Sequence, residues 1–240
     1  MPRFFIDYVP EEQVVIAGED ARHIARSLRM QSGESLILCD SIGTDYNGRI
    51  ESVADDRVVV RVLNFCKSVA EPGVRVTVYQ GLPKADKMDS IVQKSVETGA
   101  VGIVPVMTAR CVSKPDEKAA AKKIIRWQKI AHEAAKQSGR GIIPQVAPLT
   151  DFRQAVKQAA QDGEIILFFE GGGQSISKLA NVETRELAIF IGPEGGFEQS
   201  EVDFALENGA AVGTLGARIL RTETAPIAAL SAIMLATGNM

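Results

Sequence analysis

Three stretches in the C-terminal third pair glycines with charged side chains: FFEGGG (168–173), IGPEGG (191–196) and LGARILRTETA (215–225). Each follows an apolar run that reads as a strand. Glycine lets a ligand approach the backbone closely and leaves amides free as donors. One glycine turn by itself is most simply a tight connection. Three in succession, at the carboxyl ends of parallel strands, could line one pocket for a small, partly polar ligand. The pattern excludes several chemistries. There is no GxGxxG fingerprint, no GxxxxGK[ST] phosphate loop and no GxSxG elbow. Glu194 also puts a negative charge where a pyrophosphate would sit. The glutamate argues for a ligand that is cationic or rich in hydroxyls and amines.

The elements that must position these turns can be read from periodicity. From Val74 onward strands and helices alternate. The strands are 74–80, 101–106, 164–170, 186–192 and 210–216. Helices are expected at 84–99, at 116–138 with Gly139 as a left-handed stop, at 200–209, and from about 224 to the end. Ser200 and Asp203 have capping-box spacing. This alternation predicts a mostly parallel sheet covered on both faces. The last helix, APIAALSAIMLATG, is apolar nearly all round and must be buried on more than one side. Packing against a second subunit is favoured over a central place in the fold, because a chain terminus is an unusual site for a core element.

The first third reads as strands at 35–40, 46–53 and 57–65, separated by Gly33-Glu34, SIGTD and ADD. One helix is expected at about 19–29, with Arg22, Arg26 and Arg29 sharing a face. A small β-barrel-like module over 1–69 is the natural reading. Residues 67–73, with Pro72-Gly73, form the linker to a second domain over 74–240.

The whole chain carries a net charge of −3, yet residues 70–150 hold 13 Lys/Arg against 7 Asp/Glu. That basic middle third is either a solvated helix face or a local phosphate-binding surface. The three cysteines lie far apart and there are two histidines, so neither a disulfide framework nor a metal site is expected. His132, near Trp127 in the basic helix, reads as packed or solvated rather than catalytic. No run is apolar enough to span a bilayer. The opening residues turn acidic too early for a signal peptide, and a cytoplasmic location is the default expectation.

Taken in order, these segments carry a resemblance. IGPEGGFEQSEV with LGARILRTETAPIAAL is similar to the signature of the SPOUT methyltransferases, and within them of the bacterial 16S rRNA (uracil-N3) methyltransferase family. HIARSLRMQSGESLILCD, KADKMDSIVQKSVETGAVGIVPVMTAR and RWQKIAHEAAKQSGRGIIPQV agree with it over nearly the whole chain. The family commonly has glycine where Ala85 stands, leucine where Thr98 stands, and a second basic residue before Arg3. The resemblance implies an N-terminal PUA-like β-barrel for RNA and a C-terminal α/β SPOUT domain with a deep trefoil knot. It implies a homodimer, S-adenosylmethionine as cofactor, and 16S rRNA or the small ribosomal subunit as substrate. Its cofactor loops fall on Phe168, Phe169, Glu170 and Gly171; on Ile191, Gly192, Pro193, Glu194, Gly195 and Gly196; and on Leu215, Gly216, Ile219, Leu220, Arg221, Thr222 and Thr224.

Methylating uracil N3 requires loss of its weakly acidic proton. A nearby base or a cation at the adjacent oxygens would assist. The candidate bases are Glu194 and Glu223. The candidate cation is Arg221, with Arg218 second. A turn carboxylate and a helix N-terminal charge are the structural alternatives for the two glutamates. RNA contacts are expected from Arg3, Arg22, Arg26 and Arg29 in the first module, and from Lys84, Lys87, Lys94, Arg110 and Arg140 in the second. Three other functions compete. They are SPOUT methylation of another RNA, a non-catalytic RNA-binding assembly factor, and (from α/β alternation alone) a nicotinamide oxidoreductase.

Overall fold

The computed structural model describes all residues 1–240 and divides them into two compact units. One holds residues 1–71 with 135–143; the other holds 72–134 with 144–240.

In the first unit, β1 (Arg3–Phe5), β2 (Gln13–Ala17), α1 (Gly18–Arg22), β3 (Ser35–Cys39), β4 (Thr44–Val53) and β5 (Arg57–Lys67) follow one another. The strands form one mixed sheet in the order β1-β3-β4-β5-β2, with β1 parallel to β3 and the other pairs antiparallel. Alternation drives the pairing. Val14 and Ile16 of β2 point inward opposite Val60 and Val58 of β5, and Leu36, Leu38 and Ile50 complete the core. Two register shifts between β4 and β5 curl the sheet. Its edges β1 and β2 do not pair with each other, so the expected barrel is a curled, open half-barrel.

The expected helix over 19–29 is interrupted. The α-helical turn Gly18–Arg22 passes into a π-helical turn, His23–Ser27, and Arg29 has a left-handed φ of 51°. The wider turn and the reversal at Arg29 remove the 3.6-residue spacing that would have put three arginines on one face.

Arg3 and Arg140 are structural in this unit. Arg3 makes a two-pronged ion pair with Asp45 at 2.6 and 2.9 Å, and its Nη1 lies 2.9 Å from the Cys39 sulfur. Burial pushes the Cys39 thiol up to about 12, against the opposing pull of Arg3. The Arg140 side chain is 3% exposed and donates to Glu71 at 2.7 and 3.3 Å, while Glu71 also accepts the amides of Gly141 and Ile142 at 2.9 and 3.1 Å. Both arginines therefore leave the set of surface phosphate contacts.

The second unit contains β6 (Arg75–Gly81), α2 (Lys87–Glu97), β7 (Gly102–Met107) and α3 (Glu117–Ser138), whose last turn belongs to the first unit. There follow β8 (Gln145–Val146), β9 (Thr150–Asp151), α4 (Phe152–Asp162), β10 (Glu164–Phe168), β11 (Gln174–Ser175) and α5 (Ile176–Leu179). The chain closes with β12 (Glu186–Ile191), α6 (Gln199–Glu207), β13 (Ala211–Thr214) and α7 (Ala225–Ala236). The strand order is β11-β13-β10-β12-β6-β7-β8, with β9 also on β7, and every pairing is parallel. Both faces are covered, as near-continuous apolar strands require. Ile166 and Phe168 of β10 face α5 and α7, while Ile165 and Leu167 face α4 and α6. Gly139 ends α3 with φ 77°, the expected left-handed stop. Helix α6 begins one residue earlier than expected. Its N-cap is Glu198, whose amide donates to Glu201 at 2.9 Å, so the box uses these glutamates and not Ser200 and Asp203.

One face of helix α7 takes a central place in the fold. Ala229, Leu230, Ile233 and Met234 are buried in the core formed with β6, β10 and β12, so the chain's last helix is a central element. Leu235, on its other side, is 68% exposed. No helix is long and apolar enough to cross a membrane.

The Glu71–Arg140 pair generates a stability prediction. Glu71→Ala leaves a buried guanidinium without its carboxylate, and should cost about 3 kcal/mol of stability, read from the urea midpoint. A loss under about 1 kcal/mol would show the pair behaving like a surface ion pair.

Candidate active site

The carboxyl ends of β10, β12 and β13 lie side by side because these strands occupy one end of the parallel sheet. Their glycine turns converge on a single cavity of about 970 Å³. It is lined by residues 168–173, 191–196 and 214–222, with Lys87 and Ala225. Sixteen of the seventeen expected cofactor residues are in its wall; Thr224 is not, and neither is the candidate base Glu223. Its size suits a ligand of nucleoside dimensions.

The turns can pack this closely because side chains are missing where they meet. A Cβ on Gly81, at the end of β6, would lie 2.5 Å from the Pro193 ring. One on Gly196, where φ is 67°, would lie 2.5 Å from a Glu170 carboxylate oxygen. The turns are locked from beneath by Gln80, which is fully buried. Its amide nitrogen donates to the Gly81 carbonyl at 3.0 Å, to the Gly192 carbonyl at 3.4 Å and to the Thr222 hydroxyl at 3.0 Å. The Thr222 hydroxyl donates in turn to the Gly192 carbonyl at 2.8 Å. From outside, Arg110 donates to the Gly195 carbonyl at 2.8 Å and the Ala109 amide donates to Glu201 at 2.9 Å. Gln80 was not expected at the site. The one available signal was a polar residue ending the apolar run VRVTVYQ.

Three charged groups meet at one side of the cavity. Lys87 Nζ lies 2.9 Å from Glu194 Oε1 and 3.2 Å from Glu223 Oε2. Both contacts are ion pairs without hydrogen-bond alignment, and that Glu223 oxygen is buried with no hydrogen bond. Burial pushes the Glu194 carboxyl up, but Lys87, its own amide and the Lys84 amide outweigh this and hold it below its ordinary value. Glu223 is held low first by its own amide, against burial, and then by Lys87 and Arg221. The two carboxylates, Glu194 foremost, hold Lys87 cationic. Arg221 lines the cavity and is exposed, as is Arg218.

The remaining basic residues are scattered. Arg22, Arg29 and Lys84 are exposed. Arg26 pairs with Asp55 at 3.0 Å and Lys94 with Glu97 at 2.7 Å. Trp127 is buried and donates to Asp89 at 3.1 Å, and His132 lies 3.2 Å from Glu133.

The lowered Glu194 carboxyl has a pH signature. Its bonds to Lys87 and the Lys84 amide are present at and above the ordinary carboxylate range, and are lost as pH falls through the lower folded-state value. The Lys84 amide resonance should therefore titrate with a midpoint below that of a free glutamate. A midpoint at or above it would contradict the arrangement.

Comparisons with known proteins bear on both units. Residues 70–234 match the model of an RNA methyltransferase domain, and residues 16–63 that of an RNA methyltransferase PUA domain. The chain is 36% identical to the ribosomal RNA small subunit methyltransferase E of Bacillus subtilis, over 97% of this chain and 96% of that one. The crystal structure of the protein of that name from Neisseria gonorrhoeae, bound to S-adenosyl methionine, is 32% identical with a TM-score of 0.88, covering 98% and 97% of the two chains. A structure from Legionella pneumophila holding the cofactor SAM is 31% identical with a TM-score of 0.86, covering 98% and 97%. Similarity at this level over both units shows that the chain belongs to the ribosomal RNA small subunit methyltransferase E family.

Proposed function

We propose that the protein transfers a methyl group from S-adenosylmethionine to N3 of a uridine in 16S rRNA of the small ribosomal subunit. The observation that carries this is the single cavity walled by three glycine turns, in a chain of this family. The wall fits the cofactor. The amides of Gly171, Gly195 and Leu220 donate to no acceptor in the protein, so they are available to a ligand. Ile191, Leu215 and Leu220 offer apolar surface to a purine, and Glu170 and Glu194 offer carboxylates to hydroxyls and amines. When bound, the cofactor supplies an electrophilic methyl carried on a sulfonium. The protein contributes positioning and charge.

Within this reading, Glu194 is the base, since it lines the cavity while Glu223 lies outside its wall. Glu223 instead holds Lys87 and favours the N-terminus of α7. Arg221 stabilises negative charge on the oxygens beside N3. Residues 1–69 form the RNA-binding PUA-like domain and 74–240 the catalytic domain, with Arg22, Arg26, Arg29, Lys84, Lys94 and Arg110 as phosphate contacts. Residues 215–224 form the crossing segment of a trefoil knot. The hydrogen bonds of Thr222 to Gly192 and Gln80, which bring that segment back against the β12 and β6 turns, support this. The protein acts as a homodimer, for which the exposed Leu235 of α7 is a candidate contact.

Small subunits from a strain lacking the uracil-N3 mark, incubated with methyl-tritiated S-adenosylmethionine, should yield label in 3-methyluridine. Retained cofactor binding with no label would redirect the assignment to another RNA. Neither binding nor label would favour a non-catalytic RNA-binding factor. Arg221→Ala should lower single-turnover transfer roughly 100-fold or more while the cofactor still binds. Wild-type turnover in that variant removes Arg221 from the mechanism.

A further inference from the structure

We infer that Lys87 is a catalytic residue of this site, donating an N–H to a carbonyl oxygen beside the nitrogen to be methylated. The inference rests on the methylation of a pyrimidine ring nitrogen proposed above.

Three observations support it. First, Lys87 lines the cavity and is 32% exposed, so its ammonium is not enclosed by the carboxylates that hold it. An ammonium has three N–H donors. Its contacts with Glu194 and Glu223 are ion pairs without hydrogen-bond alignment, so the ammonium keeps N–H donors for a ligand. Second, Lys87 is the first residue of α2. A cation there opposes the helix dipole, so local helix energetics do not explain it. The residue before its N-cap, Ala85, has φ 53°, a left-handed conformation that is itself costly outside glycine. Third, charge and valence match the acceptor. Two carbonyl oxygens flank N3, and the cavity presents Lys87 besides Arg221 and Arg218. Lys87 and one arginine could each hold one oxygen.

The chemical step is proton loss. The N3–H bond breaks, its electron pair stays on nitrogen and spreads onto both flanking oxygens, and the proton passes to Glu194 and then to water. Lys87 keeps its own proton throughout. Stabilising the anion lowers the acidity barrier that a weakly basic carboxylate cannot overcome alone.

The test uses full-length Lys87→Met and Lys87→Arg with small ribosomal subunits. Cofactor affinity is measured by calorimetry and single-turnover rate across pH. Lys87→Met should bind S-adenosylmethionine with near wild-type affinity and react roughly 100-fold more slowly at neutral pH. The deficit should shrink as pH rises and solvent takes over the ionisation of N3. Lys87→Arg should recover most of the rate. Subunits from cells grown on 5-fluorouracil, whose N3 is more acidic, should restore Lys87→Met more than they accelerate the wild type. A wild-type rate in Lys87→Met, a deficit that is the same at every pH, or a loss of cofactor affinity that accounts for the slow rate would overturn the inference. Failure of the wild type to methylate either kind of subunit would instead overturn the functional reading itself.

Discussion

The site depends on a buried amide. Gln80, the penultimate residue of the central strand β6, has no solvent contact, and its NH₂ group bonds the carbonyls of two glycine positions and the hydroxyl of Thr222. An unsatisfied polar group at such depth costs about 1–3 kcal/mol. The Gln80 carbonyl oxygen already has no partner, so the surrounding backbone has to stay within reach of the NH₂ group if the same cost is not to fall on both ends of the amide. The turn after β12 and the segment before α7 are both held by this requirement, although 30 residues separate Gly192 from Thr222. The third turn, after β10, follows because β10 is hydrogen-bonded to β12 and β13 in register.

A rigid floor allows a charged wall. Lys87 and Glu194 of that wall, and Glu223 just outside it, come from the start of α2, the turn after β12 and the segment before α7. Their mutual distances hold only because the turns beneath cannot drift apart. The same wall explains why neither carboxylate is a strong base: each sits beside a cation and accepts a backbone amide. Chemistry that removes a weakly acidic proton then needs cations to acidify the substrate, and the cavity supplies them.

The basic residues of the chain divide into two kinds, and composition does not separate them. Arg3 and Arg140 are the least exposed arginines of the first unit, each paired with a carboxylate that accepts two hydrogen bonds from it. Arg22 and Arg29 are free at the surface. A guanidinium suits both tasks, since its planar fork pairs equally well with a buried carboxylate or a phosphate. The positive charge of the middle third therefore overstates the surface offered to RNA.

The sequence by itself determined what local pattern can carry. Alternating apolar strands and amphipathic helices specified a parallel sheet covered on both faces, and three glycine turns after strands marked the cavity. Periodicity and the steric permissiveness of glycine are properties of neighbouring residues, so they are legible without coordinates. Tertiary structure alone decided the rest. Ion pairs across 42 and 69 residues turned Arg3 and Arg140 inward. Sheet order made the last helix a core element and brought Gln80 under the turns. Long-range juxtaposition moved Lys87 from the expected RNA surface to the cavity wall, between two glutamates 107 and 136 residues further on. Partners so distant leave no periodic trace in the chain, because the distance between them is set by how the elements pack and not by spacing along the sequence.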